Sequence, residues 1–271
     1  MPFPRPEPAP VVRTAPVRPA ADLLPRLDAG ERARLDRAPA PERDAVASVL
    51  LLARLVVAEV CGVDPAAVRV DRRCPRCGST AHGVPRVTRA DGAAAPHLSL
   101  SRTSDLVAVA VASGPVGIDL EPTTAGAGLR PDVVLADGEP PAPGPGGLLV
   151  TWVRKEAVLK AAGTGLAVDP RSLRVTDAAG SITVEHATPG PLTPPPGTRW
   201  HLEDLPLDPP RTRTHRAALA HLHPHPLPLP LPRAGAGALR GEGRVRVSGA
   251  GGAGGPGGRA TWSGAAPRRT P

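Results

Sequence analysis

The sequence predicts an α+β fold of two pseudo-symmetric halves, each built from a long helix and antiparallel strands, with a disordered C-terminal tail. Two stretches long enough for a helix, residues 43–60 and 148–162, contain neither Gly nor Pro. Strand-like runs follow each of them. The resulting order, helix then strands then helix then strands, lacks the strict βαβ alternation of a parallel sheet and repeats its own plan.

Residues 1–20 are Pro-rich and read as an extended, poorly ordered arm. The apolar run 43–60, RDAVASVLLLARLVVAEV, needs a buried face, and Gly62 and Pro65 stop it. Between 68 and 87 the Gly and Pro of CPRCG and HGVP mark loops between short strands. HLSLS (97–101) alternates apolar and polar residues, and LVAVAVAS (106–113) follows after the turn-like RTSD, which predicts a hairpin. VGIDLE (116–121) is a further short strand. A Gly/Pro-rich linker over 122–147, with LRPDVVLA as its only structured-looking stretch, leads to the second helix, LLVTWVRKEAVLKAA, which Gly163 and Gly165 end. SLRVTD and SITVEH then form a hairpin, and TRWHLEDLPL and HRAALAHL two more strands. The expected organisation is an arm at 1–20, halves at 21–115 and 116–221, and a tail at 222–271.

Composition narrows the function. The 271 residues carry a net charge of +8, but the last fifty hold seven Arg against the single Glu242, so most of the excess lies in the tail. That segment is also rich in Gly and Pro, too poor in apolar residues to offset its chain entropy, and reads as disordered. One Phe, three Trp and no Tyr cannot make the stacking platform of a single-strand nucleic-acid binder. No run of about 18 apolar residues spans a membrane, and prolines interrupt the N-terminus where a signal peptide needs an apolar core. Three cysteines are too few for a disulfide framework in a chain of this length. The expectation is a soluble cytoplasmic protein.

Two clusters could carry chemistry. Asp119 and Glu121 stand two apart on a strand, so both carboxylates project from one face, where they repel unless a cation lies between them. Taken alone, the pair suits an exposed charged strand face better than a site. On the second helix Glu156 and Lys160 lie at i and i+4 with Trp152 one turn earlier, and Lys155 sits about 100° round the axis. An ordinary surface pair has the same spacing. Yet Lys155 and Lys160 are the only lysines of a chain that otherwise uses Arg, and lysine is a compact charge that can lose its proton. Taken together, the three acids make an oxygen set suited to Mg²⁺, and the lysines point to a polyphosphate or diphosphate substrate.

GIDLE followed by WVRKEAVLKAAGTGL resembles the paired signature of the Sfp-type 4′-phosphopantetheinyl transferases, every charged position matched. CPRCGSTAHGVPRV is similar to that family's loop, SLSRTSDLVAVAVAS to its hairpin, and residues 31–55 to its N-terminal helices. The resemblance covers about Leu23 to His221. It implies coenzyme A bound between the halves and attack by a serine of an acyl or peptidyl carrier protein on the β-phosphate, releasing 3′,5′-ADP. By motif matching it assigns Asp119, Glu121 and Glu156 to Mg²⁺, and Glu156 and Lys160 to proton transfer. It assigns His82, Gly83, Arg86, Ser101, Arg102, Lys155 and Lys160 to coenzyme A, with Arg43 for the 3′-phosphate, and it implies a monomer acting in fatty acid, polyketide or nonribosomal peptide synthesis.

Arg102 stands where the family has histidine; it can grip a phosphate bidentately but cannot relay a proton. Val84 removes a basic residue that Arg86 would replace, and the 122–147 linker lacks the family's aromatic residues. These departures keep a second reading open, a relative that binds coenzyme A or a carrier protein without turnover. A third reading is a zinc-containing basic module. Cys74-Pro-Arg-Cys77 with His82 is part of a zinc ligand set, but the only other cysteine, Cys61, falls at a helix end.

Overall fold

The computed structural model describes residues 8–224 apart from 75, 81, 179–180, 187–189 and 209–210. They fall in one unit, Met1–Leu227. Residues 1–7 of the expected arm, and the expected tail from 225 onward, lie outside the described residues.

In chain order the elements are β1 (Val11–Pro16), α1 (Ala20–Leu23), α2 (Ala29–Asp36), α3 (Arg43–Cys61), β2 (Val68–Arg73), β3 (Val84–Arg89), β4 (His97–Arg102) and β5 (Leu106–Ala112). Then follow β6 (Val116–Pro122), α4 (Pro131–Val134), α5 (Gly147–Ala161), β7 (Leu173–Ala178), β8 (Ser181–His186), β9 (Thr198–Asp204), α6 (Arg211–Thr214) and β10 (His215–Pro224). The mixture of helices and antiparallel sheets is the predicted α+β class. The sheet orders are β1-β5-β4 and β6-β10-β9, with separate hairpins β2-β3 and β7-β8. Adding five to each strand number of the first half gives the second, so the repetition read from the sequence is a repetition of sheet topology.

Two expectations need correcting. Residues 1–20 are not all arm, because Val11–Pro16 pairs antiparallel with β5 from Val11↔Val111 to Pro16↔Leu106. Prolines at 10 and 16 bracket the strand rather than interrupt it, and an edge strand tolerates their missing N–H groups. The last strand also runs three residues past the expected boundary, into Leu222–Pro224, paired with β9.

Local chemistry sets the helix ends. Asp28 and Glu31 form a reciprocal capping box at the start of α2, each side chain accepting from the other's backbone N–H at 2.8–2.9 Å. Gly62 closes α3 in the left-handed conformation at φ 65°.

The core is layered. Val49, Ala53, Val56 and Val57 of α3 pack on Val107, Val109 and Val111 of β5. The other face of β5, Leu106, Ala108 and Ala110, packs on Val116, Ile118 and Leu120 of β6 and Leu219 of β10. β5 is therefore buried on both faces, which explains its continuous apolar run. On the far side of the second sheet, Val153, Ala157 and Ala161 of α5 pack on Trp200, Leu202, Ala218 and Ala220. The strand period of two then fixes the site: with Ile118 and Leu120 turned to the first sheet, Gly117, Asp119 and Glu121 face α5. No helix among the described residues is long and apolar enough to cross a membrane.

Candidate functional site

The sheets meet through two serines. Ser99 Oγ accepts from Ile118 N at 3.0 Å and Ser101 Oγ from Leu120 N at 3.1 Å, so β4 borders β6 by side-chain bonds in place of a backbone ladder. Ser101 Oγ also donates to Asp119 Oδ1 at 3.1 Å. Across from it Lys160 Nζ donates to the same Oδ1 at 2.5 Å and to the Ile118 carbonyl at 3.2 Å. Asp119 is 3 % exposed and Glu156 9 %.

These acids are held at a cost. Burial pushes the Glu156 carboxyl up to about 7, reinforced by Asp119 and opposed by Lys160. Burial and then Asp119 also raise Glu121, and Lys160 again opposes the rise. One ammonium thus faces three carboxyl groups. The buried side-chain polar atoms that find no hydrogen-bond partner among the described residues are Asp119 Oδ2 and Glu156 Oε1. Unsatisfied buried carboxylate oxygens are expensive, and two of them on neighbouring acids are the donor chemistry of a hard divalent cation. The orphaned oxygens of Asp119 and Glu156 are therefore of the kind Mg²⁺ takes, with Glu121 beside them, although the three acids do not bring one oxygen each within 4.8 Å of one another.

A cleft of about 970 Å³ runs from Glu156 and Lys160 to the β2-β3 loop, at the upper end of the usual range for cofactor pockets. Its walls come from both halves: Leu98–Leu100 of β4, Arg72, Cys74, Arg76, His82 and Gly83 on one side, and the turn 162–168 after α5 on the other. Gly83 sits at φ 110°, and a Cβ there would lie 2.4 Å from the Arg73–Cys74 backbone, so only glycine closes the loop. Arg72 holds the same closure by donating to the Gly83 carbonyl at 3.1 Å. Burial lowers its guanidinium to about 10, and the neighbouring charges of Arg34 and Arg102 add to that shift. A crowd of guanidiniums beside an open cleft is an anion site. Sequence reading passed over Arg72, Arg76 and Arg34; the arginine-dense VDRRCPRC holds the first two without marking which of its arginines turns to the cleft, and Arg34 lies on α2.

The predicted site residues divide accordingly. Asp119, Glu121, Glu156 and Lys160 come together as the face argument requires, and His82 and Gly83 line the cleft. Ser101 is buried and bonded to Asp119, a positioning contact. Arg102 is ion-paired to Glu42, and Arg43 to Asp36 at 3.4 Å. Arg86 is exposed on β3 outside the residues lining the cleft.

Lys155 is the clear correction. It does not reach the cleft: it is fully buried and donates to Glu139 Oε2 at 2.5 Å, to the Val134 carbonyl at 2.8 Å and to the Leu173 carbonyl at 2.7 Å. Glu139 in turn accepts from Ala136 N and Val175 N, both at 2.7 Å. The angular offset that separates Lys155 from Lys160 on the helix sends it into the core, where it pins the 131–139 segment to α5 and β7.

A group of three metal-ligating atoms lies elsewhere: Cys74, Cys77 and His82 offer one each, all within 4.8 Å of one another.

Residues 115–220 match the family model of the 4′-phosphopantetheinyl transferase superfamily. The stretch spans β6 to β10 and includes Asp119, Glu121, Glu156 and Lys160, so the resemblance carried by the two motifs is borne out at superfamily level, and phosphopantetheinyl transfer is supported as the general activity. No curated protein matches the chain.

Proposed function

We propose that the protein transfers the phosphopantetheine arm of coenzyme A to a serine of an acyl or peptidyl carrier protein and releases 3′,5′-ADP, in the manner of the Sfp-type enzymes. The observation that carries this reading is the pair of orphaned carboxylate oxygens, on Asp119 and Glu156, beside Lys160 at the end of a cleft walled by arginines.

Phosphoryl transfer is largely positioning and charge neutralisation. Arg72 and Arg76 hold the nucleotide phosphates, with the 162–168 turn opposite them. Asp119, Glu121 and Glu156 would hold Mg²⁺, which would supply neutralisation of phosphate charge. Lys160 keeps Asp119 oriented through its 2.5 Å bond and places a positive charge where the leaving phosphate forms. Glu156 stands at the cleft end, in position to take the serine proton directly or through a water. Ser101 fixes Asp119 from the other side. The resemblance implies a monomer, in keeping with a site assembled from one chain, and the composition suggests the cytoplasm.

The test is intact-mass spectrometry of a panel of apo acyl and peptidyl carrier proteins incubated with the protein, coenzyme A and Mg²⁺, beside Glu156→Ala. A gain of one phosphopantetheine mass that disappears in the variant is expected. Coenzyme A binding with no mass gain on any carrier would favour the binder without turnover. That reading draws on Arg102, whose guanidinium is engaged by Glu42 where the family has a histidine.

A further inference from the structure

We propose that Cys74, Cys77 and His82 form a zinc site in the β2-β3 loop, separate from the acidic site and built to hold the arginine wall of the cleft. One ligand atom from each of the three lies within 4.8 Å of the other two, and His82 Nε2 is 3.4 Å from Cys77 Sγ. Tetrahedral zinc with ordinary bond lengths puts a sulfur and a nitrogen about 3.6 Å apart and two sulfurs about 3.8 Å apart, so the trio lies within about 1 Å of that spacing. Two thiolates and an imidazole select zinc over the hard ions that suit Asp119, Glu121 and Glu156.

The backbone is already turned for the purpose. Gly78 N donates to the Cys74 carbonyl at 2.9 Å, and Cys74 N to the Ser79 carbonyl at 2.9 Å. Gly78 takes φ 72°, the left-handed conformation of the turn that follows Cys77. Both cysteines are free in the structure, Cys74 buried and Cys77 exposed. At the far end of the loop, Gly83 lies against the Arg73–Cys74 backbone and brings His82 to the pair.

Cys61, at the end of α3, is not part of the cluster. Three protein ligands leave the fourth position to water or to a donor entering the cleft, which Cys74 and His82 line. The ion would tie together a loop whose fixed shape sets where Arg72 and Arg76 meet an anion. His82 then acts on the cleft as a ligand that shapes its wall.

The full chain, purified without chelator, is analysed for metal, and the chelator-stripped protein is titrated with Co²⁺. The expected result is zinc equimolar with the chain and, on adding Co²⁺, the thiolate-to-cobalt charge-transfer band and intense visible bands of a tetrahedral site. Cys77→Ser, an exposed position, loses both. The double variant Asp119→Asn, Glu156→Gln keeps the zinc, which separates this site from the acidic one and makes the result independent of any transferase activity. Zinc far below one per chain with no charge-transfer band overturns the proposal. So does zinc that follows the acidic residues instead of Cys77, or a Cys74–Cys77 disulfide in protein purified without reductant.

Discussion

Gly117 of β6 meets Ala157 of α5 backbone to backbone: a Cβ built on the glycine would lie 1.9 Å from the Ala157 carbonyl oxygen and 2.5 Å from Ala161 N. This contact sets the height of α5 above β6. It thereby sets how closely Glu156 and Lys160 approach Asp119 and Glu121, since all four side chains lie on the facing surfaces. The glycine of the GIDLE motif is there for packing distance, and its neighbours use that distance for chemistry.

Gly117→Ala is therefore expected to push α5 away from the sheet. The clash is with helix backbone and cannot be relieved by a rotamer, so a stability loss of roughly 1–3 kcal/mol or more is expected from overpacking alone. Denaturant unfolding measures that loss. The matching functional expectation is a weaker Mg²⁺ response, read as the cation-induced rise in melting temperature, because the carboxyl groups no longer converge.

The pH dependence of the cation-free protein follows from Glu156. Its folded value of about 7 lies above the ordinary 4.5, so the native state holds a proton that the unfolded state has released. Stability is full below about 4.5, falls as pH rises through the interval to about 7, and is then constant, a loss of roughly 3 kcal/mol from this group. Glu121, raised in the same direction, adds to the fall. Mg²⁺ is expected to recover the loss at pH 8 and to do little at pH 5, which melting curves at the two pH values with and without the cation would show. Equal Mg²⁺ stabilisation at both would contradict the assignment of these acids as ligands.

Much of this arrangement was legible before any coordinates, because strand and helix periods decide which residues share a face. Asp119 with Glu121, and Glu156 with Lys160, followed from periods of 2 and 3.6, and the two long helices from Gly- and Pro-free runs. β1 was hidden by its flanking prolines, which look like disorder until a partner strand is known; the partner, β5, is almost a hundred residues away. The cleft arginines were hidden for a related reason. Nothing local distinguishes Arg72 from any exposed arginine, and only the closure of the loop at Gly83 turns it toward the cavity. Lys155 misled because rarity in composition marked both lysines alike, while the fold uses one for the core and the other for the site.

Lys155 and Lys160 are accordingly expected to fail in opposite ways. Lys155→Ala leaves Glu139 buried without its cation and should destabilise the fold by about 3–5 kcal/mol. Lys160→Ala removes the 2.5 Å partner of buried Asp119 Oδ1 but leaves it the Ser101 hydroxyl, and Lys160 is itself partly exposed, so the stability loss should be smaller than for Lys155→Ala while carrier-protein modification falls by about 10²–10⁴-fold. Unfolding curves and initial rates for the two variants test the distinction. A Lys155 variant that is stable but inactive would return that residue to the cleft.

Arg72→Ala is the corresponding test of the anion wall. The guanidinium is partly buried among Arg34 and Arg102, with the Gly83 carbonyl as its one hydrogen-bond acceptor among the described residues, so its further donors and its charge can serve a phosphate. A charge-assisted hydrogen bond contributes about 1.5–3 kcal/mol, which predicts a rise of about 10–100-fold in the KM for coenzyme A with a smaller effect on kcat. Because the contact is ionic, the difference between wild type and variant should narrow as salt is raised. Dephospho-coenzyme A separates two roles for the arginine. If Arg72 grips the 3′-phosphate, the variant and the wild type bind the dephosphorylated compound equally; if it grips the diphosphate, the penalty of the substitution persists.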